Sequence, residues 1–130
     1  MDKTIVYEEF LKLPGALSFE EADRIYGMIV ERAPEHDRDF DTKFQVLVER
    51  AEKYVSYRAG WLSRSLQERL EIDEERSRAH DLFIKAKDQL STYMYEQKLG
   101  NDWDDLLGEE RKRIGDFACY LVYLRSILAR

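Results

Sequence analysis

The chain has 130 residues and a formal net charge of -6 at pH 7, and 44% of its residues are hydrophobic while 37% are charged. This length and apolar content exclude a disordered chain and predict a single globular domain over residues 1–130. The net acidity disfavours nonspecific binding to nucleic acid as the main activity, because phosphates repel an acidic protein at long range.

The compartment is predicted from the cysteine content and from the apolar runs. Cys119 is the single cysteine, so no internal disulfide forms and a reduced cytoplasmic location is expected. Acids interrupt the first ten residues, where a secretory signal would be apolar. The longest apolar run, residues 117–124, is far shorter than the roughly 20 residues of a membrane-spanning helix. We therefore expect no membrane association.

The first predicted elements are an N-terminal segment and a capped helix. Residues 1–13 are expected to form a short helix or an extended arm, and the LPG turn signal ends this segment. Ser18 and Glu21 have the spacing of a capping box, in which each side chain bonds a backbone amide of the first helical turn. Apolar residues follow at helical spacing until Pro34, so a helix is predicted from Ser18 to the residues before this proline.

A longer helical pattern follows. From Phe40 to Leu70 the apolar residues keep intervals of three and four for about thirty residues, which predicts either one long helix or a helix that bends near Gly60. A glycine inside a helix costs about 1 kcal/mol relative to alanine, which is why the bend is expected there.

Two further helices complete the predicted order of elements. Asp73 is expected to cap a third helix that continues through Met94 and stops at Gly100. A short turn around Trp103 then leads to a last helix over residues 114–128. This last helix is apolar around most of its circumference, which is typical of a helix buried on several sides.

The fold class follows from these patterns. No alternating strand pattern and no repeat of 20 to 50 residues occurs in the sequence. Amphipathic helices bury their apolar faces by packing together, so we predict an all-α four-helix bundle with a short N-terminal helix or arm. The apolar last helix also makes a homo-oligomer an expectation.

Familiar catalytic motifs are absent from the sequence. It has no nucleophilic serine motif, phosphate-binding glycine loop, zinc-binding cysteine pattern or dinucleotide fingerprint. Cys119 lies in the most apolar run, where a thiol is usually an inert core residue. Asp81 points about 100° away from His80 on a helix, so His80 is interpreted as a surface histidine without an orienting partner. No catalytic residue, metal or cofactor is predicted, and a non-enzymatic role is favoured.

An enzymatic alternative uses paired glutamates. Glu49 with Glu52, and Glu68 with Glu71, have the i,i+3 spacing that places two carboxylates on one helix face. All-helical nucleotide hydrolases hold magnesium with carboxylates one turn apart, so a magnesium-dependent nucleotide hydrolase is the first alternative function. Chance alone supplies about five acidic pairs at this spacing in a chain of this composition, which weakens the hypothesis.

A stretch without acids provides the candidate binding residues. Residues 53–67 contain no Asp or Glu, and within them SYRAGWLSRS combines arginines with aromatic residues. On one continuous helix these side chains would form a stripe that binds an acidic partner or stacks on a nucleobase. The plainer alternative is that the tryptophan faces the bundle and the arginines pair with glutamates of neighbouring helices. The predicted partner-binding residues are Tyr57, Arg58, Trp61, Arg64 and Arg69.

These observations predict a non-enzymatic helical module that acts in protein–protein interaction or regulation. Its expected partner is another protein, and the homo-oligomer is a second expectation. Nucleic-acid binding through the arginine and aromatic helix face is the other alternative function, and it is disfavoured by the net acidity.

Overall fold

The computed structural model describes residues 16–58 and 63–128. The predicted N-terminal helix or arm and the predicted bend at Gly60 lie outside these residues. The described part of the chain contains five α-helices and no strand, which confirms the all-α prediction. The helices are α1 (Phe19–Glu31), α2 (Arg38–Arg58), α3 (Leu66–Glu96), α4 (Asp102–Leu107) and α5 (Arg111–Leu128).

The beginning of α1 is the one predicted from the capping box. The Ser18 hydroxyl accepts a hydrogen bond from the Glu21 amide at 3.1 Å, and the Glu21 carboxylate accepts one from the Ser18 amide at 3.3 Å. Ala22, Ile25 and Ile29 are buried, so α1 contributes one apolar face to the core.

The predicted long helix over residues 40–70 is divided in the structure. Helix α2 ends at Arg58, and Ser65 caps a new helix, α3, through a second capping box with Glu68. The prediction that Asp73 begins the third helix is wrong, because Asp73 lies inside α3 and accepts a hydrogen bond from Arg76 at 2.9 Å. The Ser65 box already satisfies the first amides of this helix, so α3 begins about two turns earlier than expected.

The segment after α3 contains a short helix where only a turn was predicted. Gly100 follows the end of α3 with φ of +87°, a left-handed conformation that glycine adopts without strain. Helix α4 then carries Trp103, which is fully buried. Asp104 accepts hydrogen bonds from Lys87 at 2.6 Å and Ser91 at 2.8 Å, which attaches α4 to the last third of α3.

Helix α5 occupies the centre of the bundle. Residues 114–122 are all buried, and the helix contacts α1, α2 and α3. Its apolar circumference is therefore covered within the chain, as expected for a helix buried on several sides. The homo-oligomer predicted from the same feature stays a prediction. Within residues 16–58 and 63–128, no helix is both long and apolar enough to cross a membrane.

Candidate functional site

The least packed part of the described helices is the first half of α3. We call residues Leu66–Arg78 the exposed half of α3, because none of them is buried and the first buried residue of this helix is Ala79. Leu66 and Leu70 are 72% and 67% exposed. They are four residues apart and so lie one turn apart on the same side of the helix. The exposed half of α3 therefore presents an apolar pair to solvent.

Local interactions keep the exposed half of α3 helical. The capping box of Ser65 and Glu68 satisfies amides of its first turn. Three side-chain pairs one turn apart add to it, and each is worth a few tenths of a kcal/mol. These pairs are Gln67–Glu71 at 3.1 Å, Arg76–Asp73 at 2.9 Å and Arg78–Glu74 at 2.8 Å. Leu66 and Leu70 take part in none of these interactions.

The leucine pair points away from the core-facing side of α3. Arg69 and Ile72 are half-buried and continue the helical side that carries the buried residues Ala79 and Phe83. At 100° per residue, Leu66 and Leu70 lie roughly a third of a turn around the helix from that side.

The exposed half of α3 carries charges of both signs, and the acids on the same side as the leucine pair, Asp73 and Glu74, are paired with Arg76 and Arg78. Arg69 and Arg76 are half-buried, which leaves Arg78 as the exposed basic residue of the exposed half of α3. The same segment has five exposed acids. They are Glu68, Glu71, Asp73, Glu74 and Glu75.

A groove between α2 and α3 lies further along the same helix. Its volume is about 820 Å³, and Val46 of α2 and Ile84 of α3 give it apolar walls. Asp81 and Asp88 line it together with Ile84. These three positions lie on the same side of α3 as Leu66 and Leu70, so the groove continues the exposed side of the helix.

Arg58, one of the predicted binding residues, forms an internal ion pair. Its Nη2 lies 2.7 Å from Oδ1 of Asp116, and each of the two side chains is 12% exposed. Its Nη1 donates a hydrogen bond to the Tyr54 hydroxyl at 3.4 Å. Arg58 thus connects the end of α2 to α5, and it pairs with an aspartate of a neighbouring helix where the plainer alternative expected glutamates.

Asp116 joins three segments of the chain. Besides its pair with Arg58, its Oδ2 accepts hydrogen bonds from the backbone amides of Ala16 at 3.1 Å and Leu17 at 3.2 Å. Gly115 makes room for this arrangement, because a Cβ there would lie 2.6 Å from Nη1 of Arg58 and 2.8 Å from the Tyr54 hydroxyl.

The other predicted binding residues do not share one helix face with Arg58. Tyr57 is half-buried in α2, while Arg64 and Arg69 are half-buried at and after the start of α3. Trp61 lies outside the described residues. A single stripe would require one continuous helix, whereas α2 ends at Arg58 and α3 begins at Leu66. Binding of a partner by these residues stays a prediction.

The sequence reasoning missed Leu66 and Leu70 as surface residues. It assigned both to the apolar face of one long helix, because they continue its rhythm of threes and fours. The signal that separates them is the S-x-x-E pattern of Ser65 and Glu68, which marks a helix beginning as clearly as Ser18 and Glu21 do.

The residues considered for catalysis lie in the core. Burial raises the pKa of the Cys119 thiol to about 12, which keeps it protonated at neutral pH. His80 is 2% exposed, so its interpretation as a surface histidine is wrong. Its Nε2 donates a hydrogen bond to the Arg111 carbonyl at 2.9 Å, and Asp81 pairs with the Arg111 guanidinium at 2.8 Å instead of orienting the ring.

The carboxylates of the magnesium alternative are engaged separately. Glu49 accepts a hydrogen bond from Gln45 and Glu71 accepts one from Gln67. Glu52 pairs with Arg125 at 2.9 Å. Across residues 16–58 and 63–128, no three His, Cys, Asp or Glu side chains are grouped as they would be to hold a metal ion. The convergence that this alternative requires is therefore not found in the described part of the chain.

Comparison of the chain with models of protein families, with curated proteins and with solved structures finds no match.

Proposed function

We propose that this protein is a non-enzymatic helical domain that works by binding another protein through the exposed half of α3. The observation that carries the proposal is the exposure of Leu66 and Leu70, 72% and 67%, on a helix that is already formed. Burying a leucine side chain on association contributes about 1.5–3 kcal/mol, so two adjacent leucines form an effective anchor.

The rest of the described chain supports a binding role over a catalytic one. Its chemically reactive candidates, Cys119 and His80, are used in packing. Arg64 and Arg69 lie next to the leucine pair at the beginning of α3 and, with Tyr57 at the end of α2, are retained as candidate contacts of the partner. Arg58 is not retained, because it neutralises Asp116 inside the bundle.

The test is affinity capture from the native host with three forms of the chain. One is unchanged and one carries Leu66→Gln with Leu70→Gln, because glutamine removes the apolar surface and keeps helix propensity. The matched control carries Leu82→Gln with Leu106→Gln, which changes two leucines that are 36% and 41% exposed elsewhere. We expect all three to have the same circular dichroism, and the Leu66/Leu70 variant alone to lose the captured protein.

Equal capture by all three forms would show that the exposed half of α3 is not the binding surface. Nuclease treatment of the same samples separates the nucleic-acid alternative. If nuclease releases the captured material, and if binding falls steeply with salt, nucleic acid rather than protein is the ligand.

A further inference from the structure

We draw no further inference here: the strongest candidate, the apolar pair of Leu66 and Leu70 on the exposed half of α3, carries no class of partner beyond the proposed function, because nothing in the structure shows what covers it.

Discussion

Residues 114–122 of α5 and the exposed half of α3 are both regular helix, yet the first segment is buried throughout and the second has no buried residue. The α5 segment is stabilised by packing against three other helices, whereas the exposed half of α3 is stabilised by its cap and by pairs along its own surface. The comparison shows that similar secondary structure is held by tertiary packing in one place and by local contacts in the other.

The two segments also use charge differently. Asp116 in α5 is buried and neutralises Arg58, so its loss leaves a cation without its carboxylate in the interior. Glu74 in α3 pairs with Arg78, but the side chains are 80% and 65% exposed and water replaces the contact easily. One ion pair is therefore part of the core, and the other is part of the solvated surface.

Asp116→Ala gives the largest effect and tests this contrast directly. Removing one partner of a buried ion pair costs about 3–5 kcal/mol, and the substitution also leaves the Ala16 and Leu17 amides without their acceptor. The matched change, Glu74→Ala, is expected to cost at most about 1 kcal/mol. Urea unfolding measures both free energies. Similar losses for the two variants would show that the pairs are equivalent.

Gly115→Ala is expected to have the next largest effect. The added methyl group would lie within 3 Å of Arg58 and Tyr54 atoms, and relief of such overpacking typically costs about 1–3 kcal/mol, from which the helix propensity of alanine subtracts about 1 kcal/mol. Gly27→Ala in α1 is the control, because a Cβ there has no neighbour within 4 Å and alanine favours a helix by about 1 kcal/mol. We expect thermal melting to show opposite shifts. A Gly115→Ala variant stabilised as much as Gly27→Ala would refute the close packing of α5 on α2.

Ser65→Ala tests whether the exposed half of α3 depends on its cap. Loss of an N-cap costs about 1 kcal/mol, and here it removes the hydroxyl that bonds the Glu68 amide at 3.2 Å. Hydrogen exchange is expected to become faster within residues 66–78 and to stay unchanged in the buried segment of α5. Ser18→Ala, at the equivalent position of α1, provides the comparison, because α1 contributes Ile25 to the core. Faster exchange throughout α5 in the Ser65→Ala variant would contradict local stabilisation.

The smallest expected effect is a pH dependence from His80. Burial lowers its pKa from 6.5, and Arg111 and Arg76 also disfavour the charged ring, while Asp81 and the carbonyl of Arg111 favour it. The Tyr54 ring faces it edge-on at 4.9 Å and carries no charge at neutral pH. The unfolded chain therefore binds the proton more tightly than the folded chain does.

The contribution of neutral His80 to the free energy of unfolding is therefore fully present above the unfolded pKa of 6.5. It is lost as the pH falls towards the lower folded pKa. His80→Gln keeps a side-chain N–H for the Arg111 carbonyl and removes the titration. Urea unfolding at a series of pH values is expected to give a steeper loss below pH 6.5 for the unchanged chain than for this variant. Parallel curves would exclude His80 as the source.

The helical class, the beginning of α1 and the burial of α5 were predictable because each depends on a local pattern. Ser18 and Glu21 are three residues apart, and the apolar circumference of α5 is visible in consecutive residues. The division between α2 and α3 also had a local signal at Ser65, but the apolar rhythm continued across it and favoured one helix. Periodicity therefore indicated helix more reliably than it indicated where the helix ends.

The ion pair of Arg58 and Asp116 had no such signal. The two residues are 58 positions apart, and many other arginine and acid combinations in the chain are equally compatible with the sequence. Their pairing depends on how α5 packs against α2, which is a property of the assembled bundle. For the same reason, the exposure of Leu66 and Leu70 could not be obtained from their apolar character alone.

The hydrogen bonds from Ala16 and Leu17 to Asp116 close a loop of about 100 residues. During synthesis on the ribosome, α1 emerges long before this carboxylate does. The apolar face of α1 then has no α5 to cover it until residues 111–128 have also been synthesised and released. The central position of α5 thus makes completion of the bundle depend on the emergence of this helix, and it leaves the nascent chain most dependent on protection from aggregation until α5 is released.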